Sequence, residues 1–420
     1  MYRRLILLAI VVAVFVVVGI GFAWTWRPAI DPISAGGIPK ADRRTVQVGA
    51  ELATIGNCND CHKTRSGRPF AGGRALPTPF GTIFSSNITP DPDTGIGAWS
   101  EAAFRRAMRD GVDREGRHLY PAFPYDHFMK ATNADIQAIY SFLMSQSPVR
   151  NSVPENQLAF PFNFRPVVAG WKLFFLREAP LRPDPGRSAE WNRGRYLVEG
   201  LGHCGACHTP RNVLGAEKLG SAYTGGSAEG WYAPSLDSGR GWTADQLAEY
   251  LSTGWHRSHG AAAGPMADVT RNLGFASTQD VFAIAEYIAS LRGHPESVSD
   301  AMSPKLGNRS AETSFEGAAI YAGACATCHD GRYDVGPSKA ISLSHSSALR
   351  QPGSANAVRV ILKGIEPGPG NGGPYMPAFE DLLTDAQIAS LADYLRARYV
   401  DGPPWTDASR EISKARQEGI

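Results

Sequence analysis

The sequence predicts an all-α protein made of three domains in tandem, preceded by one N-terminal transmembrane helix. Three observations lead to this fold class. The length of 420 residues corresponds to about three domains of ordinary size. A C-x-x-C-H motif occurs three times at well-separated positions, and an uncharged apolar run occupies residues 5–24. The repeated motif therefore marks the domains, and the apolar run marks a membrane anchor.

The N-terminal apolar run is long enough to cross a bilayer. At about 1.5 Å per residue, residues 5–24 span a hydrocarbon core of about 30 Å. Arg3 and Arg4 precede the run, so the positive-inside rule places the N-terminus in the cytoplasm and the rest of the chain outside it. The alternative is a cleaved signal peptide, whose apolar region is normally about 7–15 residues long. We therefore predict an uncleaved single-pass anchor.

The composition excludes nucleic-acid binding and indicates loop-rich domains. The formal net charge is +2, from 42 basic and 40 acidic residues. These charges are spread along the chain, so no basic face is present to contact phosphates. Glycine (45 residues) and proline (30 residues) are abundant without forming a repeat. Domains so rich in loops need a large apolar group to fill their cores.

All six cysteines lie in the same frame, in CNDCH, CGACH and CATCH. Two thiols three positions apart can each add to one vinyl group of a haem, and the next histidine is then held beneath the iron as its proximal ligand. We therefore predict three covalently attached haems c. The predicted attachment and proximal residues are Cys58, Cys61 and His62; Cys204, Cys207 and His208; and Cys325, Cys328 and His329.

Three other interpretations of the cysteines fit less well. Disulfide bridges would not explain a histidine after every pair, and so short a spacing braces no distant segments. A zinc site needs four converging ligands, whereas these motifs lie more than a hundred residues apart. A redox-active pair of the thioredoxin type would occur once, after a strand.

The motifs recur after 146 and then 121 residues, which is about the size of a small domain. A helical stretch precedes each motif, a middle helix follows it, and an amphipathic helix closes each unit. Each unit is therefore predicted to be a class I cytochrome c domain. The predicted boundaries are an anchor at 1–27, domains at 44–148, 187–293 and 312–402, linkers at 149–186 and 294–311, and a tail at 403–420.

Two methionines are predicted to be the sixth iron ligands of the second and third domains. A thioether in this position raises the potential and closes the iron to other chemistry. Met266, in GPMADV, lies 18 residues before Ile284 of the second closing helix. Met376, in PYMPAF, lies 15 residues before Leu391 of the third. Proline and small residues flank both methionines and favour a loop held against a haem face.

The first domain departs from this pattern. Counting back 16 residues from Ile139, the matching position in its closing helix, gives Phe123, in LYPAFPYDHFMK. A phenylalanine cannot bind iron. The sixth ligand of the first haem is therefore left open between Met129, His127, His118 and no ligand.

From about residue 45 to about residue 404, the chain resembles the triple-haem cytochrome c subunit of membrane-bound bacterial dehydrogenases. Besides the three motifs, the resemblance rests on NITPDPDTGIGAWSEAAFRRAMRDGV, GRHLYPA, APSLDSGRGWTADQLAEYL, GPMADVT and PYMPAFEDLLTDAQIASLADYL. It implies that electrons enter from a separate catalytic subunit and leave, haem to haem, to ubiquinone. It places the chain on the periplasmic side of the bacterial inner membrane, and Met266 and Met376 match the ligand positions of this family.

The resemblance also bears on the partner and on the reaction. With Phe123 in the first loop, the chain looks like the cytochromes paired with molybdopterin-type dehydrogenases, which include an iron–sulfur subunit. The leading prediction is a non-catalytic electron-transfer subunit, because no dinucleotide fingerprint or nucleophile motif occurs. Two alternatives stay open: a stand-alone membrane-tethered carrier, and a haem enzyme that uses an open first haem with His118 or His127 as acid/base group.

The first linker is the most apolar segment after the N-terminal run. It contains FPFNFRPVVAGWKLFFLREAP, dense in aromatic and aliphatic residues. It is predicted either to pack over the neighbouring domains or to form a surface that rests on the bilayer or on the catalytic subunit. The substrate is not predicted, because its pocket would lie in another chain.

Overall fold

The computed structural model describes residues 6, 25–34, 41–64, 67–177, 181–236, 242–291, 315–330, 342–367 and 373–418. The chain divides into two compact units. Unit 1 comprises Met1–Arg182 and Glu199–His203, and unit 2 comprises Pro183–Val198 and Cys204–Ile420. The first cysteine motif therefore belongs to unit 1, and the second and third motifs belong to unit 2.

Unit 1 is built around a first helix packed along a closing helix. Its helices are α1 (Arg43–Ile55), α2 (Cys58–His62), α3 (Glu101–Asp110), α4 (Tyr125–Phe128), α5 (Asn133–Met144) and α6 (Pro166–Phe175). Helices α1, α3 and α5 begin after Asp42, Ser100 and Thr132, whose side-chain oxygens each accept a hydrogen bond from the third helical N–H. The core where α1 meets α5 includes Leu52, Ile136, Ile139 and Leu143.

Unit 1 also contains a small antiparallel sheet. Strands β1 (Ala75–Thr78) and β2 (Gly81–Phe84) form a hairpin, and β3 (Gln157–Leu158) pairs with β2. Gly81 has φ of 126°, and a Cβ on it would lie 2.1 Å from the carbonyl oxygen of Gln157. Glycine is therefore needed at this position both for the hairpin turn and for the close approach of β3.

The first part of unit 2 repeats the pattern of two long helices with short elements between them. Its elements are α7 (Ala189–Glu199), α8 (Gly205–His208), β4 (Gly226–Ala228), β5 (Trp231–Ala233), α9 (Ala244–Thr253), β6 (Trp255–His256), β7 (Gly260–Ala261), α10 (Pro265–Leu273) and α11 (Thr278–Ser290). Strands β4 and β5 form one antiparallel ribbon, and β6 and β7 form another. Thr243 and Gln246 form a capping box that begins α9.

The second part of unit 2 holds the third motif. It consists of α12 (Phe315–Ile320), a π-helical turn (Tyr321–Cys325), α13 (Ala326–His329), α14 (Ala355–Lys363), α15 (Asp385–Tyr399) and α16 (Ala408–Gln417). The segment predicted to be a tail packs into this core: Ile412 of α16 is fully buried, and Nε1 of buried Trp405 donates to the carbonyl oxygen of Gln351 at 3.1 Å. The described part of the third domain therefore extends well beyond residue 402.

All three domains have a glycine where the first helix crosses the closing helix. A Cβ on these glycines would lie 1.9, 1.9 and 2.2 Å from a carbonyl oxygen of the closing helix, at Gly49 against Ala138, Gly194 against Ala283 and Gly317 against Ser390. No side chain fits in such a gap, because non-bonded carbon and oxygen atoms need more than 3 Å of separation. The three domains therefore share one helix crossing that only glycine permits.

The structure corrects the predicted fold class in two respects. The protein is not all-α, because the described residues contain seven short strands. These strands have two to four residues, too few to show a period of two in the sequence. The prediction of an N-terminal transmembrane helix is not supported either. No helix among the described residues is long and apolar enough to cross a membrane, and the predicted run, residues 5–24, lies outside those residues except for Ile6.

Candidate haem-binding sites

The first motif occupies a single short helix. Cys58, Cys61 and His62 all lie on α2, where residues three positions apart share one face. Asn57, immediately before α2, has a left-handed backbone conformation with φ of 52° and turns the chain after α1. Cys58 packs against the core of unit 1. The two thiols are therefore presented together, beside the core, at the end of the first helix.

A backbone carbonyl orients the proximal histidine of this motif. Nδ1 of His62 lies 2.6 Å from the carbonyl oxygen of Ser86, and because a carbonyl only accepts, Nδ1 carries the proton. Nε2 is then the nitrogen that can bind a metal, as in most metal-binding histidines. Burial lowers the pKa of His62, which favours the neutral, ligating imidazole. Ser86 follows β2, so the small sheet positions the ligand.

The second motif repeats this arrangement. His203, just before the first cysteine, has φ of 38° in the place of Asn57. Nδ1 of His208 donates to the carbonyl oxygen of Pro234 at 2.6 Å, and Pro234 directly follows β5. Burial also lowers the pKa of His208. Two separate domains thus use a β-ribbon to aim a neutral histidine.

Neither carbonyl partner was predicted from the sequence. Any residue can supply a backbone carbonyl, so the acceptor has no residue signature. The one available signal is the similar distance along the chain, 24 residues after His62 and 26 after His208. A turn 24–26 residues after the histidine of each motif would have indicated these two carbonyl groups.

The third motif begins differently from the other two. Cys325 ends the π-helical turn, and Cys328 and His329 lie on α13. The helix runs on into the motif without the left-handed residue that precedes the first two motifs. Residues 331–341, which follow it, lie outside the described residues. The structure therefore places Cys325 on one helical turn and Cys328 and His329 on the next.

The cysteine environments argue against disulfide and thiolate chemistry. None of the six cysteines forms a disulfide. Burial, with a smaller contribution from the neighbouring cysteine, raises the pKa of the Cys58 and Cys204 thiols to about 12 and that of Cys325 to about 11. Reactive cysteines of redox enzymes have lowered pKa values instead. The first cysteine of each motif is therefore a poor thiolate in this environment, unlike the nucleophile of a redox enzyme.

The two predicted methionine ligands lie on tightly held backbone segments. Met266 is the second residue of α10, and Gly264 before it packs so closely on Trp231 that a Cβ would lie 2.3 Å from the indole ring. Met376 exchanges two backbone hydrogen bonds of 2.9 Å with Ile365. Both methionine side chains are half-buried. Each belongs to a domain with its own cysteine motif, and their bonding to iron stays a prediction.

His118 does not suit the role of sixth ligand or of acid/base group. Its side chain is 6% exposed. Nε2 donates to the carbonyl oxygen of Thr25 at 2.8 Å, and Nδ1 lies 3.1 Å from Nζ of Lys172. Both ring nitrogens are engaged, so neither is left for iron or for a substrate.

The other candidates for the first sixth ligand lie in the loop around α4. His127 is buried, and its Nδ1 lies 2.9 Å from the carbonyl oxygen of Glu199. Phe123 packs against the core of unit 1 and against Phe128, with ring centroids 5.3 Å apart. Met129 follows α4 and is half-buried. The loop is therefore an aromatic cluster in which Phe123 fills space, and the choice between Met129, His127 and no ligand stays open.

Comparison with known proteins gives consistent matches. Residues 315–395 match the family model for subunit III of cbb3-type cytochrome c oxidase. A nicotinate dehydrogenase subunit of Pseudomonas putida is 46% identical over 94% of this chain, which spans only 34% of that protein. The fructose dehydrogenase cytochrome subunit of Gluconobacter japonicus is 35% identical, over 86% of this chain and 80% of its own length. The gluconate 2-dehydrogenase cytochrome c subunit of Pantoea cypripedii is 34% identical, over 90% and 91%.

Motif helices with paired cysteines and carbonyl-oriented histidines define a c-type cytochrome, a class whose haem is attached covalently. The similarity over nearly the whole length of several relatives narrows this class. The chain belongs to the family of cytochrome c subunits of dehydrogenases that includes the fructose and gluconate dehydrogenase subunits. The predicted resemblance is thus confirmed, and with it an electron-transfer role.

Proposed function

We propose that this chain carries three covalent haems c and passes electrons from the catalytic subunit of a dehydrogenase to ubiquinone in the membrane. The observation that carries the proposal is the pair of 2.6 Å hydrogen bonds from Nδ1 of His62 and His208 to backbone carbonyls. Each bond leaves Nε2 as the iron-binding nitrogen. The third motif has Cys325 at the end of the π-helical turn and Cys328 and His329 on α13, which supports a third haem.

The protein residues in this mechanism hold and orient the haems. A haem supplies one-electron chemistry when bound. The cysteines would attach it, the carbonyls of Ser86 and Pro234 fix the rotation of the His62 and His208 imidazoles, and Met266 and Met376 would be further iron ligands. A rigid ligand set changes little between oxidation states, which favours electron transfer over substrate chemistry. The engaged nitrogens of His118 count against a haem enzyme built on the first site.

The partner in this proposal is a dehydrogenase catalytic subunit that contains the substrate pocket. The relatives are named as subunits of nicotinate, fructose and gluconate dehydrogenases, which supports a partner of this class. Phe123 and the similarity to the nicotinate dehydrogenase subunit favour a molybdopterin-type enzyme with an iron–sulfur subunit.

A periplasmic position at the inner membrane completes the proposal. The support is an apolar surface on unit 1, formed by α6 and the residues before it, whose large side chains are exposed to solvent. These are Phe160, Phe164, Val167, Leu173 and Phe174. Exposed apolar surfaces of this kind mark interaction sites, and an amphipathic helix can lie in the interface of a bilayer, where ubiquinone is reached.

Haem content and electron transfer test the proposal together. Mass spectrometry and haem staining of the denatured chain should show three covalent haems, and the variant C325S/C328S should show two. The chain should co-purify with a dehydrogenase at fixed stoichiometry, accept its electrons and reduce a ubiquinone analogue. Substrate oxidation by the isolated chain would contradict the proposal. Three haems without a co-purifying dehydrogenase would instead indicate a stand-alone carrier.

A further inference from the structure

The side-chain amide of Asn356, in unit 2, forms two hydrogen bonds with the backbone of β5. The N–H of Tyr232 donates to Oδ1 of Asn356 at 2.8 Å, and Nδ2 of Asn356 donates to the carbonyl oxygen of Tyr232 at 2.8 Å. Tyr232 lies on β5 in the second domain, and Asn356 is the second residue of α14 in the third. The amide thus ties a helix of one haem domain to a strand of the other.

The strand held by Asn356 is the one that orients the second proximal histidine. Pro234, two residues after Tyr232, accepts the hydrogen bond from Nδ1 of His208 at 2.6 Å. A shift of β5 would therefore move this carbonyl and rotate the imidazole. The three-residue segment from Tyr232 to Pro234 therefore connects Asn356 to His208.

The other end of α14 holds the predicted ligand of the third haem. The helix ends at Gly364, and the next residue, Ile365, exchanges two backbone hydrogen bonds of 2.9 Å with Met376. A Cβ on Gly364, whose φ is 70°, would lie 2.3 Å from the carbonyl oxygen of Met376. A helix of nine residues, about 13 Å long, thus connects the proximal side of one site with the distal side of the next.

A buried arginine fixes the same helix against the same ribbon. Arg359 of α14 is 3% exposed and pairs with Glu418 at 2.7 Å and with Glu411 of α16 at 3.5 Å. Gly230, in the turn between β4 and β5, has φ of 79°, and a Cβ there would lie 2.4 Å from the Arg359 guanidinium. The helix, the ribbon and the C-terminal helix α16 are therefore in direct contact, and this contact leaves α14 little freedom to move.

We propose that Asn356 is a positioning residue for electron transfer between the second and third haems. By tying β5 to α14, it holds the carbonyl that orients His208 and the segment that presents Met376 in one rigid arrangement. One electron leaves one iron and enters the other, so no further reactant is needed. This inference rests on the proposed function, in which both sites hold haem.

The test compares variants of the full-length holoprotein. In N356L, a side chain with the same branching and number of heavy atoms removes both hydrogen bonds, and in N356D only the bond accepted by Oδ1 can remain. Asn133, an exposed residue of α5 in unit 1, offers the matched control N133L. After rapid photoreduction, N356L should slow electron exchange between the second and third haems by about tenfold, equivalent to about 1.4 kcal/mol in the barrier, because neither hydrogen bond then holds β5 against α14. N356D should lie between N356L and the wild type.

The midpoint potentials of the three haems distinguish a positioning role of Asn356 from a purely structural one. In N356L the potentials of the second and third haems should shift while that of the first haem stays constant, and N133L should change none of them. Three haems with unaltered potentials and an unaltered exchange rate in both Asn356 variants would overturn the inference and leave the proposed function intact. Fewer than three covalent haems in the wild type would overturn the proposed function itself.

Discussion

Lys172 has a buried amine that lies over the ring of Tyr125, the first residue of α4. It is 8% exposed, and its Nζ donates to the carbonyl oxygens of Asp110 and Gly111 at 2.5 and 2.7 Å. It also lies 3.1 Å from Nδ1 of His118. Burial lowers the pKa of Lys172 to about 7, with Arg27 acting in the same direction and Asp110 against it. Burial likewise lowers the pKa of His118.

We expect the free energy of unfolding of unit 1 to increase with pH because of both Lys172 and His118. The unfolded chain binds a proton at Lys172 up to a pKa of about 10.4, whereas the folded chain releases it at about 7. The free energy of unfolding therefore rises with pH between these values, and below about pH 7 the full cost of a charged, buried amine is present. His118 adds the same sign below its unfolded pKa of about 6.5.

Substitution of Lys172 by methionine tests this dependence. Urea unfolding of unit 1, followed by circular dichroism at several values between pH 6 and pH 10, should become less steep in pH for K172M than for the wild type. K218M, at an exposed lysine of unit 2, is the control and should keep the slope of the wild type. Equal slopes in K172M and the wild type would contradict a buried, titrating amine.

The crossing of the first and closing helices is the element that the three domains share. Its glycines were not singled out from the sequence, because a glycine inside a helix ordinarily weakens it by about 0.5–1 kcal/mol relative to alanine. Close packing of the two helices compensates for this loss of helix stability. The missing side chain lets the two helices approach until backbone touches backbone, which extends the buried core along both.

We expect G49A to destabilise unit 1 although alanine is the better helix former. The added Cβ would overlap the carbonyl oxygen of Ala138, and such overpacking costs about 1–3 kcal/mol. Gly170, inside α6, offers the matched control, because a Cβ there meets no atom within 4 Å. Chemical denaturation should therefore show a loss for G49A and a gain of about 0.5–1 kcal/mol for G170A. A gain in both variants would refute the shared crossing.

The exposed face of α6 permits a second test at the scale of one element. Phe174 of α6 and Phe275 of unit 2 are 72% and 74% exposed, so glutamate at either position disturbs folding little. F174E should lower the binding of the full-length protein to phospholipid vesicles about tenfold, since burying a phenylalanine is worth about 1.5–3 kcal/mol. F275E should bind like the wild type. Equal losses in both variants would contradict a specific membrane-facing role for α6.

The elements with strong local signals could be predicted from the sequence. The cysteine motifs and the closing helices lie where they were predicted, because residue chemistry or periodicity marks them. The ribbons of two to four residues, the carbonyls of Ser86 and Pro234, and the packing of α16 were not predicted. These features depend on backbone atoms or on contacts between residues far apart in the sequence. Residue type alone does not predict such contacts.

The grouping of domains within the whole chain has a thermodynamic consequence. The second and third domains form one compact unit, joined by the amide of Asn356 and by Arg359, which packs on the β4–β5 turn. Residues in one cooperative unit gain or lose protection together. The first domain belongs to the other unit. A disturbance in the third domain should therefore reach the second and spare the first.

Truncation of Ile412 tests this coupling from the far end of unit 2. Ile412 of α16 is fully buried in the third-domain core, so I412A should lower the free energy of unfolding by about 2–5 kcal/mol. Hydrogen exchange with mass spectrometry should show faster exchange in α15 and, by a similar factor, in β5 of the second domain, with α1 unchanged. V213A, at a residue 92% exposed, should change none of these. Faster exchange confined to the third domain would show that the two domains unfold independently, and would leave Asn356 a local contact instead of part of a cooperative link.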